Sequence, residues 1–270
     1  MDRFSLFPFI FIVLGITLAA PAQMIIAHRG VSHDAPENTL AAFNLAWEQG
    51  ADGIEGDFHL TRDGKIICGH DKDMKRTTGS NMEIATSTFD DLRKLDVGSW
   101  KHAKFAKEKM PTLVEVFATV PAGKKIFIEI KCGPEIVPQL QKEVEGAKLK
   151  PEQMIVISFN ADVIAAVRKQ IPSIKAHWLT SYKQDKATGQ WSPSIEQVIA
   201  TLKRIDASGL DTNAHALIDD AFVKALRGEK YELHCWTVDE PALARRFIKL
   251  GVDSITTNKP AWLRKQLDLH

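Results

Sequence analysis

The 270-residue chain carries no surplus of either charge: 35 basic residues stand against 34 acidic ones, a formal net of +1. Without a basic excess it has no electrostatic footprint for nucleic acid or for an anionic membrane surface. Cysteine is scarce. Cys68, Cys132 and Cys235 are widely spaced and odd in number, each in or just after an apolar, strand-like stretch. That pattern reads as buried free thiols rather than a disulfide framework. No Cys or His pair has the spacing of a zinc site, and no low-complexity stretch or linker divides the chain. The rest is ordinary for a globular fold, at 44% hydrophobic and 26% charged.

The N-terminus differs. Leu6 to Ala20 is almost entirely apolar, Arg3 precedes it, and Ala20-Pro21-Ala22 offers small residues at a signal-peptidase spacing. The run is shorter than the roughly 20 residues that span a bilayer, and no cysteine follows it for lipid attachment. Residues 1–22 are therefore expected to be a signal peptide. It would be cleaved near Ala22–Gln23 to export the protein to the periplasm or the exterior, with no stable membrane insertion afterwards. An uncleaved anchor is the alternative.

From Met24 onward, short β-rich runs alternate with helical patterns, the mark of βα units and a parallel sheet. Strands are expected at Met24–Ala27, Asp52–Leu60, Lys125–Ile130, Met154–Phe159, Lys175–Leu179, Gly209–Asp211, Tyr231–Val238 and Ser254–Thr257. Arg62-Asp63-Gly64 predicts a tight turn into a hairpin partner at Lys65–Cys68. Helices fit between, for example Asp162–Lys169, Asp219–Leu226 and Pro241–Leu250; the first, with Leu40, Phe43 and Trp47 on one face, would be capped by Asn38. About eight such repeats in about 250 residues are the size of a TIM (β/α)8 barrel. A doubly wound open sheet is the structural alternative. The polar, irregular stretch 72–110 reads as an insertion at the barrel mouth, so residues 23–270 form one domain.

Polar residues gather at strand ends. His28-Arg29-Gly30 follows the first strand, and His70-Asp71 follows the hairpin. Glu55 and Asp57 stand two apart in the second strand and so share a face, as do Glu129 and Lys131 around the end of the third. Strand C-termini converge at a barrel's mouth. Three carboxylates meeting there repel unless neutralised, and one hard divalent cation, Mg²⁺ or Ca²⁺, answers that need. Arg29 and Lys131 suit an anionic phosphate. Two histidines can take a proton from an attacking oxygen and give one to a leaving alkoxide. Taken singly, each motif could equally be a structural histidine, a charged edge or an ordinary ion pair. Trp236, at a strand end, either packs in the core or meets substrate.

Together these residues resemble the glycerophosphodiester phosphodiesterase family. His28-Arg29-Gly30, Pro36-Glu37-Asn38-Thr39, Glu55-Gly56-Asp57 and His70-Asp71 are similar to its N-terminal signature in order and spacing. Glu129-Ile130-Lys131, Ser158-Phe159, Trp236-Thr237-Val238 and Gly251–Asn258 resemble its later strands, with Asn258 where the family usually has aspartate. The resemblance implies a TIM barrel and a small-molecule glycerophosphodiester substrate. It implies metal ligands Glu55, Asp57 and Glu129, an acid–base pair His28 and His70, and phosphate contacts from Arg29 and Lys131. Glu37 would orient Arg29 or meet substrate, and Phe159 would face it. The scheme leaves His177, His215 and His234 as structural, and His33 and His59 unassigned. The competing readings are a phospholipase-like lyase giving a cyclic phosphate from a lysolipid, and a non-catalytic glycerophosphodiester-binding protein.

Overall fold

Eight strands run parallel and close on themselves in sequence order. They are β1 (Met24–Ala27), β2 (Gly53–Leu60), β3 (Lys125–Ile130), β4 (Met154–Ser158), β5 (Lys175–Thr180), β6 (Gly209–Asn213), β7 (Glu232–Trp236) and β8 (Ser254–Thr257). The computed structural model describes residues 23–269; the expected signal peptide lies outside them. Closure is carried by β1, which pairs Ala27 with Ile54 on one side and Met24 with Ser254 on the other. An open doubly wound sheet has no such pairing, so the TIM-barrel expectation holds. Among the described residues no helix is long and apolar enough to cross a membrane.

A helix follows each strand: α1 (Leu40–Glu48), α2 (Leu113–Phe117), α3 (Val137–Gly146), α4 (Ala161–Gln170), α5 (Ile195–Arg204), α6 (Asp220–Gly228), α7 (Pro241–Leu250) and α8 (Pro260–Gln266). Because side chains alternate across a strand, each strand feeds two cores. Outward residues such as Ile54, Ile128, Val156 and Leu210 bury against the helices. Inward residues Ile26, Phe127, Ile155, Ile157 and Leu179 fill the barrel. Both faces are covered, which is why these strands read as continuous apolar runs.

Two local expectations need revision. Thr39, not Asn38, caps α1, its hydroxyl accepting from Ala42 N at 3.2 Å. Asn38 instead adopts a left-handed backbone (φ 59°), which its short amide tolerates. Its side chain reaches across to β2, donating to Asp57 Oδ2 at 2.8 Å and accepting from Asp57 N at 3.1 Å. The 72–110 insertion is less irregular than its composition suggests. Met74, Ile84, Leu92, Val97 and Met110 close over Ile67 of the hairpin strand Ile66–Cys68 as a small core of their own. A bidentate pair from Arg93 to Glu115 (2.6 and 2.7 Å) ties the insertion to α2. The three cysteines are free.

Phe43 of α1 is fully buried, and its ring backs β2 where Gly56 separates two carboxylates; a Cβ at Gly56 would stand 3.0 Å from Phe43 Cζ. Phe43→Ala is expected to cost about 3–5 kcal/mol, through lost transfer energy plus a cavity. Urea unfolding checks this, and a cost below about 1 kcal/mol would show that the site collapses freely.

Candidate active site

The turn between β1 and α1 is the tightest part of the mouth. Arg29 (φ 54°) and Gly30 (φ 75°) are both left-handed, and a Cβ on Gly30 would lie 2.6 Å from the backbone carbon of Ala42. Only glycine fits there. Arg29 holds its strained backbone through its N–H, which donates to Glu55 Oε2 at 2.9 Å, and its carbonyl, which accepts from Asn38 N at 3.0 Å.

Strand period and register assemble the carboxylates. Glu55 and Asp57 point inward from β2, and Asp57 is paired with Glu129 of β3. Their three groups each offer an oxygen within 4.8 Å of the others, all essentially buried. Among the described residues, Glu55 Oε1 and Asp57 Oδ1 make no hydrogen bond; Lys131 Nζ stands 3.4 Å from the latter without alignment. Burial, followed by the charge of Asp57, raises Glu55 well above the usual carboxylate range, and Glu129 is pushed up to about 7 for the same reasons. Burial alone would raise Asp57 too, but the cations of Arg29 and Lys131 outweigh it and hold it low. Orphaned buried oxygens and two carboxyls reluctant to ionise are what a hard divalent cation would relieve. The donor set fits such an ion.

Around this cluster runs a chain of alternating charge. Asp57 faces Arg29 Nε at 3.2 Å, and Arg29 Nη1 donates to Glu37 at 3.1 Å. Glu37 accepts from both terminal nitrogens of Arg76 (2.7 and 3.1 Å), and Arg76 Nε donates to Asp71 at 2.7 Å. Asp71 in turn meets His70 Nδ1 at 2.7 Å. Lys131 donates to Glu129 at 2.6 Å. Glu37 thus accepts from Arg29 and Arg76 together. Arg76 was not anticipated, since one arginine in a lysine- and threonine-rich insertion carries no local signal.

The tautomer of His28 follows from its neighbours. Asn258 Nδ2 lies 2.6 Å from Asp239 Oδ2, and a carboxylate only accepts, so the Asn258 amide oxygen faces the other way. That oxygen accepts from Ser32 Oγ at 2.7 Å and lies 2.8 Å from His28 Nδ1, which must carry the hydrogen. Nε2 keeps its lone pair, 3.9 Å from Glu55 Oε2. Burial first, and then Arg29, hold the pKa of His28 below the ordinary histidine value. Asn258 supplies orientation to the ring without a charge.

Both histidines, Arg29 and Lys131 open onto one cavity of about 250 Å³. Its other wall is apolar: Ile157, Leu179, Trp236 and Phe159, with Phe159 46% exposed. The last two rings stand edge to face at 5.6 Å. His59 shares the inward parity of Asp57, but its Nε2 meets the His70 carbonyl at 3.3 Å rather than the carboxylates. The cavity is also lined by buried Asp211 of β6, which the sequence did not single out because Gly-Leu-Asp-Thr-Asn reads as an ordinary strand end.

The Glycerophosphoryl diester phosphodiesterase family model matches residues 28–262. The chain belongs to this family. It is 36% identical over 246 residues to a glycerophosphodiester phosphodiesterase of Caldanaerobacter subterraneus subsp. tengcongensis, covering 89% of this chain and 96% of that one. Over 268 residues it is 28% identical to a glycerophosphodiester phosphodiesterase of Bacillus subtilis, covering 93% and 88%. Among solved structures, an Oleispira antarctica phosphodiesterase in complex with the product sn-glycerol-3-phosphate is 25% identical, with a TM-score of 0.81 over 92% of this chain and 97% of that one. The chain is thus an enzyme of an established family, and its carboxylate cluster is metal-capable.

Asp211 makes a pH prediction. Burial pushes its carboxyl up to about 6. A carboxyl raised on folding stabilises the protein fully below its unfolded pKa, about 3.9, and that contribution is lost as the pH rises through the folded value. Asp211→Asn keeps the shape without the charge. It is expected to be more stable than wild type at about pH 8 by on the order of 1–3 kcal/mol, and no more stable at about pH 4. Urea unfolding at both values is the check; an equal difference at both would mean that the Asp211 carboxyl is not raised on folding.

Proposed function

We propose that this family member hydrolyses glycerophosphodiesters to an alcohol and sn-glycerol 3-phosphate at the barrel mouth, with His28 as general base and His70 as general acid. The carrying observation is the pair of differently held histidines on one cavity. Asn258 fixes a neutral His28 with Nε2 free to accept a proton, whereas Asp71 at His70 Nδ1 orients that ring so that its Nε2 can serve the departing oxygen. The attacking oxygen loses its proton to His28 as its bond to phosphorus forms. The bond from phosphorus to the departing alcohol oxygen breaks, and that oxygen is protonated by His70. Arg29 and Lys131 would bind the non-bridging phosphate oxygens, with Glu37 and Arg76 keeping the Arg29 fork in place. Phe159 and Trp236 give the carbon skeleton an apolar wall. Glu55, Asp57 and Glu129 would hold Mg²⁺ or Ca²⁺, which supplies positive charge against the phosphoryl oxygens when bound.

Release of glycerol 3-phosphate from glycerophosphocholine tests the reading. It is expected with Mg²⁺ or Ca²⁺ and absent with EDTA, and His28→Ala and His70→Ala should each lower kcat by on the order of 100- to 10,000-fold. A stable cyclic phosphate as the end product would instead mean a lyase. No turnover of any glycerophosphodiester in either metal would mean a binding protein. The same reading includes export: N-terminal sequencing of protein recovered outside the cytoplasm is expected to begin at Gln23, and an intact Met1 would count against cleavage.

A further inference from the structure

The opposite, N-terminal end of the barrel holds a second cluster with no part in this chemistry. His177 of β5 and His234 of β7 point inward below Phe127, their rings stacked at 4.6 Å with 19° between planes. His177 is fully buried, and neither of its ring nitrogens has a hydrogen-bond partner among the described residues. His234 Nδ1 meets Ser254 Oγ at 2.7 Å, but its Nε2 is likewise unpartnered. Both Nε2 atoms face one oxygen of Glu232, at 3.1 and 3.7 Å, without hydrogen-bond alignment. Lys175 occupies the other Glu232 oxygen. Leaving such buried donors and acceptors unpaired is costly.

The gap between β5 and β7 exists because of Gly209. This residue of β6 pairs with His177 on one side and Glu232 on the other, and a Cβ on it would lie 2.6 Å from the Glu232 carbonyl oxygen. With no side chain at Gly209, the side chains of His177 and Glu232 meet across it.

We propose that His177, His234 and Glu232 bind a divalent transition ion of the zinc type, bridging β5 to β7 at the N-terminal end of the barrel. Two imidazoles and a carboxylate form the donor set such ions select, unlike the all-oxygen set at the mouth. Ligands of a tetrahedral ion at about 2.1 Å lie roughly 3.4 Å apart, a value that the two observed separations of 3.1 and 3.7 Å bracket. The near-parallel rings must splay for their lone pairs to converge. No hydrogen bond fixes the His177 ring, while Ser254 holds His234 as an outer partner. A cavity of about 660 Å³, lined by Glu232 and His234 among others, opens this end and leaves room for a water as fourth ligand.

The test is Zn²⁺ binding by the purified, metal-stripped protein, read by metal content after dialysis and by the visible spectrum of its Co²⁺ form. It is run in a Glu55→Gln/Glu129→Gln background so that the mouth cannot contribute. One ion per chain and a four-coordinate Co²⁺ spectrum are expected. Glu232→Gln and His234→Gln should each weaken binding by on the order of 100-fold, and Ser254→Ala by about 10-fold. Glycerophosphodiester turnover by Glu232→Gln with Mg²⁺ should stay unchanged, which separates this site from the reaction at the mouth. Absence of a retained ion in the background protein overturns the proposal, as does equal Zn²⁺ affinity in the Glu232 and His234 variants. If His234→Gln fails to fold, Glu232→Gln and Ser254→Ala decide, since Glu232 is partly exposed and Ser254→Ala is small.

Discussion

Three buried carboxylates at the barrel mouth set the terms for everything near them. Taken out of water, Glu55, Asp57 and Glu129 repel one another, and only one of them is held low by its surroundings. The neighbourhood is arranged to offset that cost. Arg29 is bent into a left-handed backbone so that its N–H and its guanidinium both reach the cluster, and Lys131 follows β3 to the same place. The oxygens that remain orphaned define where a cation belongs. Repulsion, rather than attraction, is thus the organising force, and the residues that counter it make a cationic rim around the cluster.

The second layer is what gives that rim a fixed shape. Glu37 lies between two arginines, one from the β1–α1 turn and one from the insertion, and Arg76 carries the chain on to Asp71 and His70. The insertion, with its own small core, therefore does more than cover the mouth: it delivers the residue that couples the orientation of one histidine to the position of Arg29. On the far side, Asp239, Asn258 and Ser32 do the same for His28 without adding charge to the ring. The two histidines are chemically unlike because their partners are unlike.

Between the mouth and the other end lies a plug of Ile26, Phe127, Ile155, Ile157 and Leu179. It separates two polar clusters of different chemistry, oxygen-rich above and imidazole-rich below. A closed barrel makes this possible, since its interior has two ends that share no solvent path through a packed core.

The barrel itself was legible in the sequence. The alternation of apolar runs with amphipathic stretches needs no tertiary information, and β1, β3, β8 and α7 have the limits the pattern predicts. So were the residues at strand ends, because His28, Glu55, Asp57, His70, Glu129 and Lys131 are polar where a core would be apolar. What the sequence did not disclose are the partners set by closure and register. Asn38 looked like a helix cap until β2 was beside it, Arg76 like one more surface charge, and Asp211 like a strand end. His177 and His234 escaped zinc-spacing rules because those rules describe ligands in one loop or helix. Theirs lie on strands either side of Gly209. Period and composition are local quantities and survive in a single chain; which side chains meet is decided by strand register across the closed sheet, and that exists only once the barrel has formed.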